Sequence, residues 1–132
     1  MCIIIFVIKT KTMLDKFFEM KGVIAAGVFS PTDGSLLMFK GDMDRKKAAD
    51  VAKMCYRNTK LFAKQAEKLQ EITEMTWTPL KGWAFSAGDY SICIIDQFGV
   101  FVKTAQSNFD DIFIAMRMIS EYKFDIKLLS KR

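Results

Sequence analysis

The stretch from Met75 to Thr104, MTWTPLKGWAFSAGDYSICIIDQFGVFVKT, constrains this chain more than any other. β-Branched and aromatic residues dominate it, and Gly88-Asp89 and Phe98-Gly99 punctuate it. Strand-sized apolar runs between glycine-bearing turns predict a three-stranded antiparallel meander. Its strands are expected at about Thr76–Ala87, Tyr90–Gln97 and Val100–Thr104, with YSICIIDQ, the most apolar run, at the centre. Pro79 has no N–H to give to a ladder, so the first strand is expected at a sheet edge or to carry a bulge. Trp77 and Trp83 both fall in that strand.

The rest of the chain reads as further strands and as cover for this sheet. Met13–Met20 places Leu14, Phe17 and Phe18 at helical spacing and stops at Lys21-Gly22. Val23–Ser30 and Ser35–Lys40 read as a hairpin across Pro31-Thr32-Asp33-Gly34, a strong turn signal. Gly27 within its first strand marks a bulge or a close backbone approach. Asp42 or Asp44 then caps a long helix running to about Glu71. Ala48, Val51, Ala52, Cys55, Thr59, Phe62, Ala66 and Leu69 recur every three or four residues and make its buried stripe. Ala49, Tyr56 and Ala63 form a second ridge, roughly 60–100° around, whose small residues permit close approach of another helix or subunit. Lys46, Lys53, Arg57, Lys60, Lys64 and Lys68 line the opposite side. Ser107, with Asp110 as capping-box partner, is expected to open a last helix that buries Phe109, Ile112, Phe113, Met116, Ile119 and Tyr122.

Several chemistries are excluded or unsupported. The 132-residue chain has no histidine, which removes Ser-His-Asp and Cys-His catalysis and histidine-bearing zinc sites. Cys2, Cys55 and Cys93 are odd in number and lack paired spacing, as expected of reduced thiols in a cytoplasmic protein. No glycine spacing matches a phosphate loop. No catalytic, cofactor or metal residue is therefore assigned. Twenty Lys and Arg against 15 Asp and Glu give a net charge of +5. That balance suits an acidic protein partner better than nucleic acid, because no exposed aromatics alternate with the basic residues. The basic helix face is by default simply solvated. The apolar run Cys2–Ile8 is well short of the ~20 residues that span a bilayer. Residues 1–12 read as an added edge strand or as an extension ahead of an original start at Met13, with a membrane-touching segment as the lesser alternative. Residues 123–132 read as a basic tail, leaving 13–122 as the domain.

The order helix, hairpin, long helix, three-strand meander, helix resembles the roadblock/dynein light chain superfamily, close in architecture to profilin-like and longin domains. Leu14–Gly34, Ala52–Phe62, Trp77–Cys93 and Gly99–Phe113 also resemble an uncharacterised prokaryotic roadblock-like family, most specifically in WTPLKGW and SAGDY. The resemblance implies an α+β fold of α-β-β-α-β-β-β-α order. Its five-stranded antiparallel sheet would carry the long helix on one face and the terminal helices on the other. It also implies a non-enzymatic homodimer that regulates or scaffolds a partner such as a small GTPase. The matching positions are Ala49, Tyr56 and Ala63 on the long helix, and Trp77, Pro79 and Trp83 by the expected edge. Two other functions compete. A small-molecule sensor needs an apolar pocket near Phe85, Tyr90 and the long helix. An enzyme needs carboxylates such as Asp89 and Asp96 to converge with a lysine.

Overall fold

The computed structural model describes residues 14–130, with side chains described as far as Glu121. The N-terminal extension, the start at Met13 and Cys2 lie outside the described residues. Five strands form one antiparallel sheet: β1 (Val23–Phe29), β2 (Leu36–Gly41), β3 (Gly82–Ala87), β4 (Tyr90–Ile95) and β5 (Phe98–Lys103). Their order is β2-β1-β5-β4-β3. The long helix α1 (Arg45–Thr73) joins β2 to β3, and α2 (Phe109–Ser130) ends the described chain. The α+β architecture expected from the element order is present. Helix α2 continues past Tyr122, into the segment read from the sequence as a tail.

The hairpin turn closes through the expected residues. Ser35 N–H donates to the Asp33 carboxylate (2.9 Å) and Gly34 N–H to the Ser30 carbonyl (2.9 Å), while Gly34 adopts φ +78°. Those bonds to Ser35 hold the Asp33 carboxyl below its usual value. Of the two candidate caps of α1, Asp44 is the one used, accepting from Lys47 N–H at 2.9 Å. Two readings are corrected. The β4–β5 turn is Asp96-Gln97, with Ile95 paired to Phe98, and Phe98-Gly99 is strand. Asp tolerates the left-handed conformation of this turn (Asp96 φ 55°). Strand β4 is central in the meander, as expected, paired on one side with β3 and on the other with β5, and β5 is in turn the middle strand of the whole sheet. Ser107 does not cap α2, because its hydroxyl donates back to the Lys103 carbonyl (2.7 Å) to close a 3₁₀ turn. Asn108 caps instead, accepting from Asp111 N–H at 3.1 Å.

Strand alternation sorts the core into two layers. Ala26, Val28, Cys93, Ile95, Phe98, Val100 and Val102 face the N-terminal helical turn and α2, where Leu14, Phe17, Ile112, Met116 and Ile119 are buried against them. Phe29, Ile92, Ile94 and Trp83 face α1, meeting Val51, Ala52, Cys55 and Tyr56. The terminal helices and the long helix thus cover opposite faces, as the fold class requires. Buried Ser91 is satisfied by the Ser86 and Thr104 hydroxyls, each at 2.6 Å.

A Cβ at Gly34 would lie 2.7 Å from the Tyr56 ring, whereas one at Gly88 (φ +56°) meets nothing. Gly88→Ala should therefore cost about 1 kcal/mol for its backbone conformation alone, and Gly34→Ala about 2 kcal/mol or more. Urea unfolding midpoints of the two variants test this difference.

Candidate functional site

Trp83 organises the side of the sheet that α1 covers. Its indole N–H donates to Thr59 Oγ1 at 2.9 Å, and its ring meets Phe62 edge-on with centroids 5.1 Å apart. This contact fixes where α1 crosses the β3 edge. Beyond it the helix overhangs the sheet, and residues 74–81 return beneath the overhang to start β3.

That return replaces the first half of the expected strand. Trp77 and Pro79 lie in the loop, and β3 begins only at Gly82. Polar bonds to the helix explain the difference. Trp77 N–H and the Thr78 hydroxyl both donate to Gln70 Oε1 (3.2 and 2.9 Å), and the Trp77 indole N–H donates to Thr73 Oγ1 (3.0 Å). Pro79, joined to Thr78 by a cis peptide bond, follows directly. The Trp77 ring remains exposed. Strand β3 is nevertheless a sheet edge, as Pro79 had suggested for this run.

Five of the six interface candidates line two adjoining hollows that share Leu80–Gly82 and Trp83, with Tyr56 and Ala63 in one and Trp77 and Pro79 in the other, whereas Ala49 lines neither. Tyr56 is bonded to its own hairpin: its hydroxyl donates to the Thr32 carbonyl at 2.8 Å and its ring lies on Gly34. Lys60 stands over the same ring at 5.1 Å. Ala63 lies near Tyr56 beside Leu80, Lys81 and Gly82, and Ala49 is half-buried. Trp83 is under the helix, and Trp77 and Pro79 are under the overhang.

The exposed apolar side chains lie on the other flank of α1. Met54, Leu61 (51% exposed) and Ile72 (68%) project there, with Leu69, which the buried stripe had included, also exposed. Phe85 (56%) and Tyr90 (51%) stand on the α1 face of the sheet and are not covered by it. Because Leu80–Gly82 sit by Tyr56 and Ala63, Phe85 lies on the far side of Trp83, toward Leu61. The signal in the sequence was the set of apolar helix residues left over once a single stripe had been assigned.

Among the described residues, Phe85 and Tyr90 do not line the hollows beside α1, which measure about 460 Å³ by Trp77, Pro79 and Trp83 and about 270 Å³ by Tyr56 and Ala63. A smaller space of about 50 Å³ lies between the first half of α1 and β1/β5, beside Ala48, Ala52, Cys55, Gly27 and Gly99. Gly27 and Gly99 pair across the two strands, leaving the sheet without side chains at that point. A site of about 150 Å³ admits benzene, so a ring-sized ligand does not fit this smaller space unless α1 moves. Among the described residues no His/Cys/Asp/Glu group has the arrangement to hold a metal ion. Among them, too, no helix is long and apolar enough to cross a membrane.

This architecture defines a class. The fold is that of a Roadblock/LC7 domain from Streptomyces avermitilis, with a TM-score of 0.74, 10% identity, and coverage of 88% of this chain and 95% of that one. Residues 13–118 match the profile of a family described as uncharacterized conserved protein (DUF2173), and the chain belongs to that family. No curated protein matches it.

Burial raises the thiols of Cys55 and Cys93 from 9.0 to about 11. The folded state therefore keeps protons that the unfolded state releases, and this contribution to stability falls as pH rises from about 9 to 11. In a Cys2→Ser variant at pH 8, labelling of both thiols by a disulfide reagent should be slow and limited by opening of the fold. Rapid labelling before unfolding would contradict their burial.

Proposed function

We propose that this protein is a non-enzymatic interaction module that works as a homodimer. The observation supporting this reading is the edge of β3, unpaired among the described residues, with exposed Phe85 on it, exposed Tyr90 on the neighbouring strand and exposed Leu61 on α1. An edge strand offers a row of unpaired backbone groups, and exposed apolar side chains beside it favour association. In the proposed dimer β3 pairs with β3 of a second copy, and the exposed flanks of the two α1 helices meet above the joined sheet. Trp77, Pro79 and Trp83 border that seam. On the far flank Tyr56 fixes α1 to the hairpin, with Ala49 and Ala63 on the same side of the helix.

The dimer then acts as a regulator or scaffold in the cytoplasm, with a small GTPase among the partners that roadblock-like modules suggest. The binding surface, rather than a reaction centre, is the functional part. Asp89 and Asp96 occupy different turns, at opposite ends of β4, which weighs against an enzyme built on that pair.

Light scattering of the purified chain at tens of micromolar should give twice the monomer mass. Leu61→Glu should return the monomer with an unchanged circular dichroism spectrum, whereas Tyr56→Phe should leave the dimer intact and cost about 1 kcal/mol of stability. A wild-type monomer at these concentrations would refute the reading.

A further inference from the structure

The outermost face of α1 carries a cationic line that neither the fold nor the seam uses. At about 100° per residue, Lys46, Lys53, Arg57, Lys60, Lys64 and Lys68 fall within an arc of about 80°, opposite the buried stripe. They extend along about 33 Å of a straight helix, at about 1.5 Å per residue. Lys68 pairs with Glu71 (3.5 Å), and Lys60 is held by Tyr56. Lys46, Arg57 and Lys64 make no ion pair among the described residues.

We propose that this face docks an acidic α-helix of a protein partner. Three observations favour that occupant over a phosphate-bearing one. The line is one helix wide, and its spacing of three, four or seven residues matches carboxylates placed at i, i+4 on a facing helix. Asp50, Glu67 and Glu71 lie within or beside it. They would repel a phosphodiester backbone or an anionic bilayer at both ends of the line, but can pair with scattered cations of a protein and so set register. No exposed aromatic lies among the cations to stack on a base. The cationic line adjoins the proposed seam, Leu61 lying one turn from Arg57 and Lys64, so light scattering of the stripe variant at the wild-type mass separates loss of peptide binding from loss of the dimer.

The test uses the full chain and a labelled alanine-rich helical peptide of about 24 residues, long enough to cover the line, with glutamate at every fourth position. Binding is read by fluorescence anisotropy at low salt. The stripe variant Lys53→Glu/Arg57→Glu/Lys64→Glu should lose about tenfold or more in affinity. A control with the same net charge, Lys16→Glu/Lys21→Glu/Lys103→Glu, should stay within about threefold of wild type, because distant exposed charges contribute little. Circular dichroism confirms that both variants fold. Equal loss in the two variants would reduce the effect to net charge and overturn the proposal. It would also be overturned if the peptide does not bind, or if a single-stranded oligonucleotide or phosphatidylserine vesicles bind the line more tightly than the peptide.

Discussion

The sheet is apolar on both faces, and the rest of the structure depends on keeping each face from water. The two faces meet that demand differently. On one, Phe98, Val100 and Val102 of the central strand present large side chains, and Ile112 and Met116 of α2 fill the spaces between them. On the other, the sheet is low where Ala25, Gly27 and Gly99 stand, and α1 answers with Ala48, Ala52 and Cys55. Small residues on both sides bring the helix backbone close to the strands. Burial there rests on proximity rather than on interlocking side chains, and some space is left over.

The far half of α1 is held by other means. Past Phe62 residues 74–81 lie beneath it, where Ala66 stays buried and the bonds from Trp77 and Thr78 to Gln70 and Thr73 tie the loop to the helix. The left-handed cap at Glu74, whose N–H donates to the Gln70 carbonyl, turns the chain back under the helix. A polar strap of this kind fixes direction without burying much surface, and it leaves the apolar flank open.

The fold was legible in the sequence because hydrophobic period, turn residues and caps agreed with one another. The hairpin at Pro31–Gly34, the Asp44 cap and the buried positions Ala48, Ala52 and Cys55 are all local signals. The misread details were those in which a residue served a longer-range partner. Gly99 looked like a turn, yet it is a strand position kept clear for Ile94, whose Cδ1 would lie 2.7 Å from a Cβ there. Trp77 looked like strand, yet its N–H groups belong to the end of α1. Tyr56 looked like a shoulder facing outward, and no spacing rule could show that its hydroxyl reaches the Thr32 carbonyl 24 residues away. The exposed flank of α1 was missed for a related reason. A helix crossing a sheet edge loses its cover partway along, and periodicity alone does not say where.

The hollow between the paired glycines and α1 also has a mechanical meaning. It is partly open rather than sealed, about 50 Å³ in size, and fewer side-chain atoms meet across it than in the filled layer under α2. Dispersion contacts that are not made cannot resist sliding, so small displacements of α1 along the sheet should cost less than equal displacements of α2.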